Sequence, residues 1–228
     1  MDCCENNSIC KKIGELGMPF FDSKRFYFMI LGTFLTVLTF IFFCVGLAGS
    51  SNEDEDSVIA CNWAYLEYSV NGEDYTACYG TRMSVTADED GKATGGNNKY
   101  KDCDTDICSE CEEGGNNAIA FLCLAWLLTF PLLIVTALRV TTSRETNSAK
   151  GAGVIISALM LLFIIISMGA FGECFDEIAD ADDDVEYGPA FNCLGVSILT
   201  TLIILVLHLL TPVSKEKSSN DGAESNQA

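Results

Sequence analysis

The sequence predicts an all-α integral membrane protein: a four-helix transmembrane bundle carrying a small disulfide-bonded β ectodomain in its first outer loop. Three observations predict it. Four runs of 21 to 24 residues are free of Asp, Glu, Lys and Arg. Nine of the thirteen Lys and Arg lie on one side of those runs, and 24 of the 32 acids on the other. The long segment between the first two runs holds five cysteines and an Asn-Gly turn between β-rich stretches.

The elements follow in order. Residues 1–25 form a polar segment with Cys3, Cys4 and Cys10 beside Lys11 and Lys12, a setting that suits S-palmitoylation near a membrane. Residues 26–49 are the first span. They are preceded by 25 mixed residues and are too long for a signal-peptide core, so they read as a signal anchor. Spans two, three and four are 118–138, 151–171 and 190–210. A hydrocarbon core about 30 Å thick needs roughly 20 helical residues at 1.5 Å each. In lipid, such segments must satisfy their own backbone hydrogen bonds, hence helices. Pro131 should kink span two. Gly32 with Thr36, and Gly153 with Ser157, are small-residue pairs that let helices approach closely, within the chain or between copies.

Basic residues mark the cytoplasmic side. Lys11, Lys12, Lys24 and Arg25 precede span one, Arg139, Arg144 and Lys150 occupy the 139–150 loop, and Lys215 and Lys217 stand in the 211–228 tail. Both termini are therefore expected in the cytoplasm, with outer loops at 50–117 and 172–189. The plasma membrane is the default location, and an internal vesicle with an acidic lumenal face fits equally. Nearly all of the formal charge of −19 falls on the outer side. A surface of that sign attracts cations and repels polyanions, so nucleic acid is excluded as a partner.

In the first outer loop, Asn71-Gly72 separates two stretches rich in β-branched and aromatic residues, the signature of a type I′ hairpin. A two-residue turn pairs Val70 with Glu73, Tyr68 with Tyr75 and Tyr65 with Cys78. Residues 86–101 read as a mobile, glycine-rich tip. Seven cysteines face outwards and are disulfide candidates in an oxidising compartment: Cys61, Cys78, Cys103, Cys108, Cys111, Cys174 and Cys193. Cys61 and Cys78 sit out of register with one another, so each is expected to bond to Cys103, Cys108 or Cys111. Cys174 and Cys193 bound the second outer loop and are candidates to clip its ends. Seven is odd, which leaves one thiol free or paired between molecules.

One stretch suggests a cation. Asp102, Asp104, Asp106 and Glu113 take positions 1, 3, 5 and 12 of a calcium-loop pattern, with Glu110 at position 9 and Ile107 where glycine is usual. Calcium is the cofactor this pattern raises; zinc is the rival to disulfides at Cys103, Cys108 and Cys111, and an oxidising compartment and the lack of a nearby His argue against it. His208, the single histidine, reads as an interfacial side chain of span four. With one histidine, no nucleophile–base pair and no phosphate-binding glycine motif, the sequence points away from an enzyme.

The layout, with four spans, a large first outer loop, a short inner loop and a small second outer loop, resembles the claudin and peripheral-myelin-protein superfamily. Trp63 with Cys61 and Cys78 echoes part of that group's first-loop signature, without its Gly-Leu pair. The chain ends Ser225-Asn226-Gln227-Ala228 rather than in a hydrophobic scaffold-binding tail. The MARVEL group is similar in topology, and Cys174 with Cys193 would suit the second-loop disulfide its members can carry. The resemblance implies a non-enzymatic organiser or adhesion protein whose partners are the lipid bilayer and other membrane proteins or itself, as a homo-oligomer. The alternatives are an auxiliary subunit of an ion channel or transporter, and an oligomeric cation-selective pore.

Overall fold

The computed structural model describes residues 23–51, 53–94, 98–103, 105–140, 147–181 and 184–211. It is mostly helical. Four long helices, α1 (Ser23–Ala48), α3 (Asp106–Val140), α4 (Asn147–Ala181) and α5 (Pro189–Leu210), form a ring in which α1 and α4 each pack on α3 and α5. All four are long and apolar enough to cross a membrane, with mean hydropathies of 2.5 to 2.7 over their most apolar stretches. Their outer faces carry Phe34, Ile41, Leu127, Ile134, Ile155, Leu162 and Leu199 in the open. Their inner faces bury small and mid-sized side chains such as Ala118, Ala125, Met160, Ile164 and Leu194.

The small-residue pairs serve this internal packing. A Cβ on Gly32 would stand 3.3 Å from Thr136, and one on Gly153 would fall 2.4 Å from the His208 ring. Thr39 and Thr200 share a 2.8 Å hydrogen bond between α1 and α5. Pro131 lies inside α3, which continues through it to Val140.

At one end of the bundle sits a five-stranded antiparallel sheet, with β1 (Ala64–Val70), β2 (Glu73–Tyr79), β3 (Met83–Asp88), β4 (Asn98–Lys99) and β5 (Glu186–Tyr187) in the order β4-β3-β2-β1-β5. The short helix α2 (Glu55–Ala60) precedes it, capped by the Asp54 carboxylate. The hairpin has the register read from the sequence, with Val70 opposite Glu73, Tyr68 opposite Tyr75 and Tyr65 opposite Cys78. Asn71 and Gly72 supply its two positive φ angles, 58° and 89°.

Several expectations need correction. The sheet is not built from the first loop alone, because β5 comes from the segment between α4 and α5. Residues 86–88 belong to β3 rather than to a tip, and 95–97 lie outside the described residues. The long helices also outrun the predicted spans. α3 begins at Asp106 and α4 ends at Ala181, so 106–117 and 172–181 are helix where loop was expected. At 35 residues each, these helices are about 52 Å long, well beyond a ~30 Å hydrocarbon layer. The surplus turns carry the sheet.

Candidate functional site

The sheet's own small core is Val58, Cys78, Met83 and Val85, while Trp63, Ala64 and Tyr100 are buried with side chains of the long helices in the larger core.

Trp63 is the anchor. It is fully buried, and its indole N–H donates to the Gly46 carbonyl of α1 over 3.0 Å. Its ring packs 4.9 Å from Phe171 of α4 and 6.3 Å from Phe191 of α5. Tyr187 of β5 is sandwiched between Phe175 at 3.9 Å and Phe191 at 4.2 Å, both rings nearly parallel to it. Offset aromatic pairs of this kind add ~0.5–1.5 kcal/mol each beyond the area they bury. Backbone bonds close the joint: Gly188 N–H donates to the Trp63 carbonyl and Ala190 N–H to that of Asn62. Tyr65 Oη donates to Glu186 across β1 and β5. Two glycines make the close approach possible. A Cβ on Gly49 would lie 1.8 Å from the Cys61 carbonyl oxygen, and one on Gly115 would lie 1.8 Å from that of Thr81.

Covalent bonds tie the same region. Cys111 on α3 bonds Cys174 on α4, and Cys103 bonds Cys108. This corrects two expectations. Cys174 does not bond Cys193, because α4 stays helical for seven residues past Cys174 and turns that side chain towards α3. Cys61 and Cys78 do not bond the later cysteines; they and Cys193 are free thiols. Cys78 is buried in the small core, where Asn62 Nδ2 lies 3.6 Å from its sulfur. Burial pushes the Cys78 thiol up to about 11. At pH 8 only about one molecule in a thousand then carries the reactive thiolate. Partial burial and the neighbouring Cys193 raise the Cys61 thiol too, but Cys61 is half-buried where Cys78 is buried. In the folded chain Cys61 should therefore alkylate faster than Cys78 at pH 8, with Cys78 labelled only on unfolding, as timed iodoacetamide labelling with peptide mapping would read. Equal rates would contradict the buried placement.

From 67 to 74 every residue is exposed, so the hairpin end stands clear of the bundle. β5 pairs with β1 at Ala64 and Tyr65, and among the described residues no strand lies beside the 66–70 edge of β1. Tyr68 and Val70 are exposed there, Tyr68 stacking on Tyr75. Acids surround them: Glu67, Glu73, Asp74, Asp88, Glu89 and Asp90.

The calcium pattern is not folded as a wrapping loop. Asp102 ends a 3-10 turn, whereas 106–113 are the first turns of α3, so Glu113 rises along a helix instead of closing on Asp102. Asp104 and the side chain of Asp106 lie outside the described residues. Among the described residues, no group of three or more His, Cys, Asp or Glu could hold a metal ion. Cys3, Cys4 and Cys10 also lie outside the described residues.

The far end of the bundle holds a cluster that the sequence reading missed. Arg139, in the last turn of α3, is fully buried. Its Nη1 lies 2.6 Å from His208 Nδ1 and its Nη2 donates to the Thr211 carbonyl at 2.9 Å. A guanidinium only donates. His208 Nδ1 is therefore the acceptor, and Nε2 carries the proton towards Thr136 Oγ1, 3.3 Å away, which in turn donates to the Leu132 carbonyl. Arg25 Nη2 donates to the Arg139 carbonyl at 2.7 Å and joins α1 to the cluster. The available signal was depth, since Arg139 follows span two directly and His208 sits two residues from the end of span four. Comparison with known proteins gives no match, either to a family model or to a curated protein, so the likeness to four-span families remains one of layout.

Proposed function

We propose that this chain is a non-enzymatic four-span membrane protein that organises or joins membranes through contacts of its sheet. The bilayer would surround the four apolar helices. The sheet would face outwards, with both termini in the cytoplasm, at the plasma membrane or in an internal vesicle. The observation that carries the reading is the exposed hairpin with its open β1 edge. A free edge offers a row of unpaired N–H and C=O groups to another strand, and exposed Tyr and Val add contact area. Glu67 and the acids around it select against indiscriminate pairing and in favour of a partner with basic side chains or a bridging cation.

Reading the chain instead as an auxiliary subunit of a channel or transporter draws on lateral helix faces. Small-residue helix faces and the acidic outer surface motivate it, and of these the Gly32 and Gly153 positions are used inside the chain. A photo-crosslinking amino acid at position 68, and separately at position 165 on the exposed face of α4, would test the choice in native membranes. Protein adducts from 68, to this chain or another, with only lipid adducts from 165, are expected. One polytopic partner captured from 165, with nothing from 68, would replace the organiser by the auxiliary subunit.

A further inference from the structure

The first outer segment contains four cations, Arg82, Lys92, Lys99 and Lys101, among 16 acids. Three of the four meet at one place. Tyr100 is buried, its hydroxyl donates to the Gly80 carbonyl at 3.1 Å, and its N–H donates to the Arg82 carbonyl at 3.1 Å. That one side chain staples the β4 turn to the turn between β2 and β3, and so brings its neighbours Lys99 and Lys101 beside Arg82. Gly115 allows α3 to close against Thr81 from the other side. Between these parts lies a cleft of about 160 Å³, lined by Thr81, Arg82, Lys99, Lys101, Glu112 and Asn116 around Tyr100. One water needs only ~10–15 Å³ on the same measure, so the cleft has room for a small ion with some of its water.

We propose that this cleft binds a compact oxyanion, a sulfate or phosphate group. Two independent observations converge on it. Among the described residues, none of Arg82, Lys99 and Lys101 forms a salt bridge, whereas Lys92, outside the cleft, pairs with Asp90. Thr81 is fully buried and its Oγ1 has no hydrogen-bond partner. An unmade hydrogen bond of that kind costs about 1–3 kcal/mol, which an acceptor oxygen would recover. Arg82 offers a planar fork of donors suited to two oxygens of one group, and the lysines add point charges. Glu112 opposes one of the three cations, which leaves an excess of two among the lining side chains. Asp102 and Glu113 follow Lys101 and Glu112 directly and lie within the Debye length of about 8 Å, so recognition rests on the directed donors of Arg82 and the two lysines rather than on net charge.

The test is thermal unfolding of the full chain in mild detergent with sodium sulfate, sodium phosphate or a sulfated disaccharide, against sodium chloride at equal ionic strength. A saturable rise in midpoint at millimolar sulfate or phosphate is expected, absent in Arg82→Gln and Lys99→Gln and retained in Lys92→Gln. The variants' own midpoints without anion report whether they fold. Thr81→Val should weaken binding several-fold by removing the hydroxyl. A disaccharide effective at lower concentration than the inorganic ions identifies a sulfate ester as the occupant, and the reverse order a free ion. A shift no larger than chloride gives, or one equally lost in Lys92→Gln, overturns the proposal.

Discussion

Trp63→Ala lifts the sheet from the helices and lowers the thermal midpoint by on the order of 10 °C. Truncating a fully buried Trp costs roughly 3–5 kcal/mol. For a chain of this size each kcal/mol moves the midpoint by about 2–4 °C. Trp63 is the place where three elements meet, α1 through the Gly46 carbonyl, α4 through Phe171 and α5 through Phe191. The effect should be local in kind, with limited proteolysis cutting within 50–105 while the four long helices keep their circular dichroism. Trp63→Phe keeps ring contacts and loses the 3.0 Å bond, so a loss of about 1 kcal/mol is expected. A Trp63→Ala protein that melts with the wild type and resists protease equally would remove Trp63 from its anchoring role.

The second large effect is that of the Cys111–Cys174 bond. It closes 63 residues, against five for Cys103–Cys108. Chain entropy then gives about 4 kcal/mol for the first and about 2 for the second. The double replacement Cys111→Ser with Cys174→Ser should cost more in midpoint than Cys103→Ser with Cys108→Ser. Accessibility predicts the opposite order of attack. Cys111 and Cys174 are fully buried, whereas Cys103 is half-buried. A titration with reductant should therefore open Cys103–Cys108 first with little change in midpoint, and Cys111–Cys174 later with a large one. Non-reducing gel shifts alongside melting curves read both, and the reverse ranking would show that the long bond merely accompanies packing that is already sufficient.

The bundle and the hairpin were legible in the sequence for different reasons. A hydropathy run reports transfer to lipid, and four such runs are unmistakable. Asn71-Gly72 fixes a register because only a few residues accept two successive positive φ angles. The extended ends of α3 and α4 were hidden because the same hydropathy reading takes a charged segment for loop. Yet Phe171, Cys174, Phe175 and Ile178 recur at helical spacing among the acids, an amphipathic stripe that marks a helix continuing past its apolar run. β5 was not legible, since two residues carry no periodicity and its partner lies far away in sequence. The disulfide pairing was missed with the helices, because Cys174 meets Cys111 only if both segments are helical. The anion cleft and the Arg139–His208 contact depend on side chains brought together across 17 and 69 residues, which no local pattern encodes.

The pairing of β1 with β5 also sets a schedule. Tyr65 and Glu186 stand 121 residues apart, and ribosomes add about 5–20 residues each second. β2 ends at Tyr79, 107 residues before Glu186, so the hairpin is complete for roughly 5–21 s before the strand that covers its inner edge is made, by the same elongation rate. Cys111 likewise waits for Cys174 with Cys103 and Cys108 close at hand. During that interval the nascent chain is most exposed to wrong strand pairing and wrong thiol exchange, so the maturation of this protein is governed by how its unfinished first loop is guarded until the last quarter of the chain arrives.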